Sequence, residues 1–180
     1  PDLMGLIVVG DIEVDTMREL VNKHFASVPK SSDPRERTVY SLPNHDDTKI
    51  STVGDPEAFV NTIQVMYKDR ENKTQMATVG DYKSLLIDRL FSNMINARLD
   101  ELATSSAPPF LNASSSYGDS FARTKKAYTS YSTSTNAESI PTALEAVLIE
   151  NKRVKEHGFL LSELERAKLD IITSLESQLK

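Results

Sequence analysis

The hydrophobic pattern of this 180-residue chain opens with a continuous apolar run at residues 3–9 (LMGLIVV), closed by Gly10-Asp11. Such a run predicts a strand that is buried on both faces. Asp15 is the predicted cap of a following helix, whose apolar positions recur at helical spacing and which ends before Pro29. The first thirty residues therefore predict a strand, a tight turn and a helix.

The next segment, residues 30–58, is mostly polar and contains several prolines. It predicts an extended connector with a short strand at residues 37–42 and a weak strand at 49–53. Residues 59–68 (FVNTIQVMYK) then alternate clearly between apolar and polar positions. This alternation predicts a strand with Phe59, Ile63, Val65 and Tyr67 on one face.

Residues 74–104 predict a long helix, because apolar residues recur at three- and four-residue steps. The stripe comprises Leu86, Ile87, Leu90, Phe91, Met94, Ile95, Leu99 and Leu102. Gly80 would cost about 1 kcal/mol relative to alanine inside a helix, so the helix is expected to begin near Asp81. Pro108-Pro109 prevents its continuation.

Two strands rich in Ser, Thr and Tyr are predicted next, at residues 110–117 and 126–135. A helix with Pro141 in its first turn ends at His157-Gly158, and a last helix begins at Ser162, with Glu165 completing a capping box. The predicted order is β-α-β-β-α-β-β-α-α. It indicates an α+β fold in which helices pack on one face of a mostly antiparallel sheet.

The composition of the chain argues against several classes of protein function. The net charge of −5 and the scattered basic residues argue against a nucleic-acid-binding surface. The absence of cysteine excludes a disulfide framework, a cysteine nucleophile and cysteine-based metal sites. No apolar run approaches the roughly 18 residues of a transmembrane helix.

The residue patterns that carry chemistry are missing. His24, His45 and His157 have no partner at the spacing of a zinc-binding helix. No Gly-x-Ser-x-Gly turn occurs, and the serines at 114–116 fall on a predicted strand. Asp100-Glu101 are adjacent and point apart on a helix. We therefore assign no catalytic, cofactor-binding or metal-binding residue.

Three stretches carry a family resemblance: PDLMGLIVVGDIEVDTMRELVNKHFASVP, NARLDELATSSAPPFLNASSSYG and GFLLSELERAKLDIITSLE. They resemble the non-catalytic domain of the M16 (pitrilysin/insulinase) metallopeptidases, and the resemblance spans essentially the whole chain. It implies the metallohydrolase fold of LuxS and the mitochondrial processing peptidase. Residues 1–180 are expected to be one inactive-type domain of a longer multi-domain protein.

The resemblance also implies a division of labour. M16 enzymes are zinc proteases in which a His-x-x-Glu-His helix of another domain holds the metal, and this chain lacks that motif. The expected partners are other M16 domains of the same parent chain. The parent is expected to bind peptide or unfolded polypeptide as its substrate, and no nucleic acid is expected. The family's habits suggest a bacterial periplasmic or exported parent.

One departure from the family pattern is informative. Inactive-type domains that face the zinc often carry an Arg and, seven residues later, a Tyr that grip the substrate. When Arg98-Leu99 is aligned with the family's Arg-Leu pair, Ala103 and Phe110 occupy those two places. Neither side chain can donate a hydrogen bond. We expect Phe110 to be buried against the helix stripe instead.

The leading hypothesis is thus a non-catalytic, substrate-enclosing domain of a zinc metalloendopeptidase that forms part of the proteolytic chamber wall. The alternative is a domain of a wholly non-proteolytic M16-like binding subunit. The His-x-x-Glu-His motif of the parent, present or absent, distinguishes the two. Two further hypotheses are disfavoured: an unrelated enzyme whose active site no sequence motif indicates, and a ferredoxin-like RNA-binding module.

Overall fold

The chain folds, in a computed structural model, as two compact units, Pro1–Tyr40 and Ser41–Lys180. The structure describes residues 3–36, 38, 40, 42–71, 76–119 and 124–179. We call the two units the N-terminal unit and the C-terminal unit, and the assignment of residues 1–180 to a single domain stays a prediction.

Helix α1 (Val14–Phe25) belongs to the N-terminal unit. Its N-cap is Glu13, without a side-chain cap, so the prediction that Asp15 caps it is wrong. Asp15 lies in the first turn and pairs with Arg18 at 2.8 Å. Acidic residues are favoured there because the helix dipole is positive at its N-terminus.

The predicted strand at residues 3–9 is contradicted, since these residues form no ladder and are exposed. A strand needs a neighbour for its backbone hydrogen bonds, and an apolar pattern does not supply one. The weak strand at residues 49–53 is also wrong, because that segment has no regular structure. The strand at residues 37–42 falls partly outside the described residues.

In the part of the C-terminal unit that the structure describes lie the sheet and three long helices. Its elements are β1 (Asn61–Lys68), α2 (Val79–Ala103), β2 (Asn112–Asp119), β3 (Lys126–Ser134), a short 3-10 turn (Ala137–Ser139), α3 (Ile140–His157) and α4 (Leu161–Gln178). The strands run antiparallel in the order β1-β3-β2. The predicted α+β class is confirmed, and the six helices and strands predicted from residue 59 onward all lie within a few residues of their expected bounds.

The helix boundaries follow local chemistry. Thr78 caps α2: its hydroxyl accepts the Asp81 N–H at 3.1 Å, while the Asp81 carboxylate accepts the Thr78 N–H at 2.8 Å. This confirms a start near Asp81. The last helix begins one residue before the predicted Ser162. The N-cap of α4 is Leu160, and the acidic residue three positions after it is Glu163. Glu163, and not Glu165, therefore accepts the Leu160 N–H, at 2.6 Å.

The core lies between the sheet and the helices. Its buried members are Ile95, Leu99, Phe110, Ala113, Ala143 and Val147. Ala113 of β2 lies opposite Ser132 of β3, which lies opposite Ile63 of β1, so these residues share the sheet face on which α2 and α3 pack. The sheet is therefore covered by helices on one face, as predicted.

Candidate functional site

The corner between α2 and β2 is where the sequence places the family's substrate-gripping groups. Phe110 is 4% exposed and belongs to the core cluster with Leu99, so its predicted burial is confirmed. Ala103 is half-buried against the same cluster. Neither residue presents a polar group at a surface, because one side chain is inside the core and the other is a methyl group.

Arg98, one turn before Ala103 on α2, binds groups within the C-terminal unit. Its Nε donates to Glu163 Oε1 at 2.5 Å and its Nη2 donates to Glu163 Oε2 at 2.8 Å. This is the bidentate geometry that binds a carboxylate most strongly. Nη1 also donates to Glu150 Oε1 at 3.0 Å, and Nη2 donates to the Gly158 carbonyl at 3.2 Å.

The surroundings make this ion cluster a structural clamp. Glu150 of α3 is 2% exposed, and the Arg98 guanidinium lies 4.9 Å from the centre of the Phe159 ring. Hydrogen bonds to Arg98 lower the pKa of Glu163, and the bond to Glu163 raises the pKa of Arg98. Arg98 therefore joins α2, α3 and the start of α4, and its donors face these partners.

Sequence reasoning did not identify this clamp. The pattern did contain one signal: Ala143, Val147, Glu150 and Val154 recur at helical spacing on α3, so Glu150 interrupts an apolar stripe. A carboxylate in such a place needs a cation, because an unpaired buried charge is costly. The identity of the cation, 52 residues away, is not encoded in any local pattern.

A second polar network fills the centre of the helix-covered sheet face. Ser115 and Ser130 share a hydrogen bond at 2.7 Å, and Asn151 Nδ2 donates to Ser130 Oγ at 2.8 Å. Tyr128 donates its hydroxyl to Asn151 Oδ1 at 2.7 Å. Ser115 thus binds only neutral groups in these contacts, which fits the interpretation of the strand serines as sheet residues.

Asn96 of α2 forms hydrogen bonds with both backbone groups of one β2 residue, Ser115. It accepts the Ser115 N–H at 2.8 Å and donates to the Ser115 carbonyl at 2.9 Å. The amide thereby takes the place of a neighbouring strand at this position. It satisfies backbone groups that β3 does not reach, and it holds α2 against the edge of the sheet.

The three histidines lie on separate elements. His24 is in the last turn of α1, His157 is the last residue of α3, and His45 contacts the Asp47 carbonyl at 2.7 Å in a loop. No group of three or more potential ligands from His, Cys, Asp and Glu occurs among the residues that the structure describes. In the same described part of the chain, no helix is long and apolar enough to cross a membrane.

The face of the sheet opposite the helices is polar. Ser114 and Ser116 of β2 lie beside Tyr131 and Thr129 of β3, which lie beside Gln64 and Met66 of β1. Apart from Met66, these side chains carry neutral hydrogen-bonding groups. Tyr131 in the central strand is 39% exposed. The centre of this face is therefore a neutral polar surface, and Lys68 of β1 lies on the same face at its end.

Comparison with known proteins identifies the family. The family profile described as the peptidase M16 inactive domain matches residues 1–170. The chain belongs to the peptidase M16 family, as an inactive domain. This identity agrees with the two residues at the gripping positions, which have no hydrogen-bond donor to offer a substrate.

Similar proteins are much longer than this chain. A zinc protease PQQL-like protein of Arabidopsis thaliana is 30% identical over 112 residues, which are 62% of this chain and 12% of the plant protein. The periplasmic protease PqqL of Escherichia coli has a similar fold, with a TM-score of 0.67 at 18% identity over 93% of this chain and 18% of PqqL. The separately solved first half of PqqL gives the same score, and 35% of that half is covered. The chain thus spans less than a fifth of these full-length relatives.

Proposed function

We propose that this chain is a non-catalytic domain of a zinc metalloendopeptidase, that it forms part of the wall of the proteolytic chamber, and that a separate domain of the parent bears the zinc. The observation that carries the proposal is the α2–β2 corner. Phe110 is buried there, Ala103 is a methyl group, and the Arg98 guanidinium is bound by Glu163 and Glu150. These residues support the wall and leave substrate gripping to another domain.

Zinc does not fit the donors among the residues that the structure describes. The histidines are distributed over α1, a loop and α3, and the buried acid Glu150 is already bound by two arginines, Arg98 and Arg153, each at 3.0 Å. A catalytic zinc needs three converging protein ligands and an open position. We therefore assign the metal, and the activation of water by it, to the parent's catalytic domain.

The neutral sheet face is the surface that we assign to the chamber interior. An unfolded polypeptide presents backbone N–H and C=O groups at every residue, and neutral hydroxyl and amide groups can bind them regardless of sequence. Gln64, Ser116 and Tyr131 offer such groups on a sheet whose opposite face is anchored to α2 and α3. A wall of this kind encloses a substrate without competing for the zinc.

Photo-crosslinking in the parent protein tests this assignment. We expect a photoreactive phenylalanine analogue at Tyr131 to crosslink to a bound unfolded peptide. The same analogue at Lys152, an exposed residue on the helix side, is the matched control and should give no crosslink. Equal crosslinking at both positions, or none at Tyr131 in a parent that binds the peptide, contradicts the chamber-wall role.

A peptidase assay tests the division of labour. The chain and its parent are incubated with zinc and unfolded peptide, with and without a chelator. We expect chelator-sensitive cleavage by the parent and none by the chain. Cleavage by the chain alone overturns the proposal. A parent that binds peptide, but does not bind zinc and does not cleave the peptide, supports the binding-subunit alternative.

A further inference from the structure

Strand β2 forms one outer edge of the sheet. Among the residues that the structure describes, β2 pairs with β3 alone, and β3 lies between β2 and β1. Alternate residues of an edge strand direct their backbone N–H and C=O groups away from the sheet, where a further strand can bind them. Ser115 is one of these outward-directed residues, because both of its backbone groups bind Asn96. Ala113 and Tyr117 therefore belong to the same set.

The usual protection of a sheet edge is weak in β2. Edge strands are commonly guarded against pairing with another chain by charged side chains or proline. The sequence from Asn112 to Gly118 (NASSSYG) contains neither, and the first charge is that of Asp119, the last residue of the strand. Such an edge is also compatible with its own copy, because antiparallel pairing brings no like charges opposite each other.

Asn96 occupies the centre of this edge. A side-chain amide has the same donor and acceptor as a peptide group, so it takes the two hydrogen bonds that a neighbouring strand would form at Ser115. The orientation of the amide is fixed, because its Nδ2 also donates to the Ser92 carbonyl, one turn earlier on α2, at 2.7 Å. Ser115 is 0% exposed, so its backbone groups are closed to any other chain.

The position of this contact divides the edge into two short pieces. The other outward-directed residues are Ala113 on one side of Ser115, and Tyr117 and Asp119 on the other. Neither piece has the length of a typical strand, about five or six residues. A second strand therefore finds no continuous row of backbone partners along β2 while Asn96 is bound.

We infer that Asn96 caps the outer edge of β2 and so prevents β2 of a second copy of this chain from pairing with it. The cap acts at the edge of the sheet and not on the sheet face assigned to the chamber interior. Zinc, substrate binding and cleavage have no part in it. The inference can therefore fail while the proposed function stands, and the reverse.

Hydrogen exchange of the Ser115 amide measures the cap directly. In the wild-type chain this N–H donates to Asn96 Oδ1, so it exchanges only when the contact opens. Asn96→Ala should make the exchange at least about tenfold faster. Asn112→Ala, which removes an exposed asparagine of β2 itself, is the matched control and should leave the exchange unchanged. Equal exchange in wild type and Asn96→Ala overturns the inference, since another part of α2 would then close the edge.

Disulfide trapping tests whether the uncapped edge pairs with a second copy. The chain has no cysteine, so Ser116→Cys introduces a single thiol, at an exposed position on the sheet face opposite the helices. In an antiparallel pair of β2 strands, the register that matches the most outward-directed residues pairs 113 with 119 and 115 with 117. This register places residue 116 opposite its own copy, at a separation that a disulfide can bridge.

The rate of disulfide-linked dimer formation is then compared in Asn96→Ala and Asn112→Ala, both carrying Ser116→Cys. We expect it to be at least about tenfold faster in Asn96→Ala and to rise with protein concentration, because only that variant exposes an unpaired edge. Circular dichroism verifies that the variants are folded. Asn96→Ser, which keeps a polar side chain on α2, replaces Asn96→Ala if the latter unfolds.

Equal rates in the two variants overturn the inference. Rates that are both slow would mean that Asn96 only satisfies the backbone of a strand that the rest of α2 already covers. Rates that are both fast would mean that the chains associate at a surface other than the one that Asn96 closes.

Discussion

Residues 3–28 and residues 79–167 both contain patterned apolar residues, but these residues differ in their exposure to solvent. Ile95, Leu99 and Val147 are essentially closed to solvent, whereas Ile7 and Val9 are almost fully open. The hydrophobic pattern predicts which side of a helix or strand is buried, but it does not predict which part of the protein packs against that side. This difference between the two regions predicts that equal substitutions will have unequal effects in them.

The largest difference is expected for leucine truncation. Leu99→Ala removes a side chain with no exposure from the centre of the core and should destabilise the C-terminal unit by about 3 kcal/mol, through lost burial and a residual cavity. Leu20→Ala on α1, where Leu20 is 42% exposed, should change the free energy of unfolding by less than about 1 kcal/mol. Chemical denaturation of the isolated chain measures both. Equal losses would mean that the N-terminal unit has a core in solution.

Arginine truncation is the next largest contrast. Arg98→Ala leaves the buried Glu150 paired with the more exposed Arg153 and should cost about 2 to 3 kcal/mol. Arg18→Ala breaks only an exposed pair with Asp15 on α1 and should cost less than about 0.5 kcal/mol. Arg98→Lys keeps the charge but loses the bidentate geometry, so its stability should fall between wild type and Arg98→Ala.

That prediction also addresses function. If Arg98 gripped substrate, its replacement would raise the KM of the parent while leaving stability unchanged. A clamp predicts the reverse, which is lost stability of this domain with KM unaffected at temperatures where the parent stays folded. Thermal unfolding and peptide kinetics of the same variants separate the two roles.

These contrasts show how far the sequence predicts the structure. The strand at residues 61–68 and helices α2 and α3 follow from local periodicity, from Thr78 and Asp81 at one helix start, and from Gly158 at one helix end. Local free energies decide such features, so short windows of sequence suffice. The burial of Phe110 was also predicted, because its side chain has no hydrogen-bonding group and was expected to pack against the apolar stripe of α2.

The Arg98 clamp and the open N-terminal segment were not predictable, for related reasons. The clamp joins residues 52 and 65 positions apart, and no spacing rule connects them. The segment at residues 3–9 has the composition of a strand, but its hydrogen-bonding partner is not among its sequence neighbours. Long-range partners are selected by the whole assembly, and local patterns carry no information about it.

A smaller contrast is expected between two glycines. Gly158 ends α3 with a φ of 68°, its N–H donates to the Val154 carbonyl at 2.8 Å, and its carbonyl accepts from Arg98. Residues with a Cβ rarely adopt this conformation, so Gly158→Ala should cost about 1 to 2 kcal/mol. Gly5→Ala in the N-terminal segment meets no atom within 4 Å and needs no positive φ, so stability should not change.

The smallest expected effect is a change in pH dependence at Glu163. Hydrogen bonds from Arg98 lower the pKa of this carboxyl in the folded chain, so its ionised form contributes stability above the unfolded pKa of about 4.3. That contribution is lost as the pH falls through the lower folded value. Glu163→Gln should therefore be less stable than wild type at pH 6, and the difference should shrink steadily below pH 4.5.

Urea unfolding at a series of pH values from 3 to 6 measures this difference, and Ser162→Ala, a neutral change on the same helix turn, is the control. A constant difference between Glu163→Gln and wild type would mean that Arg98 does not favour the ionised carboxylate, which contradicts the clamp. The pH dependence of this difference is more informative than a single free energy of unfolding, because it reports whether the ion pair with Arg98 opposes protonation of Glu163. The Arg98 guanidinium is the largest cause of the lowered Glu163 pKa, ahead of the Leu160 N–H, and a guanidinium committed to Glu163 in the folded state is not free to bind substrate.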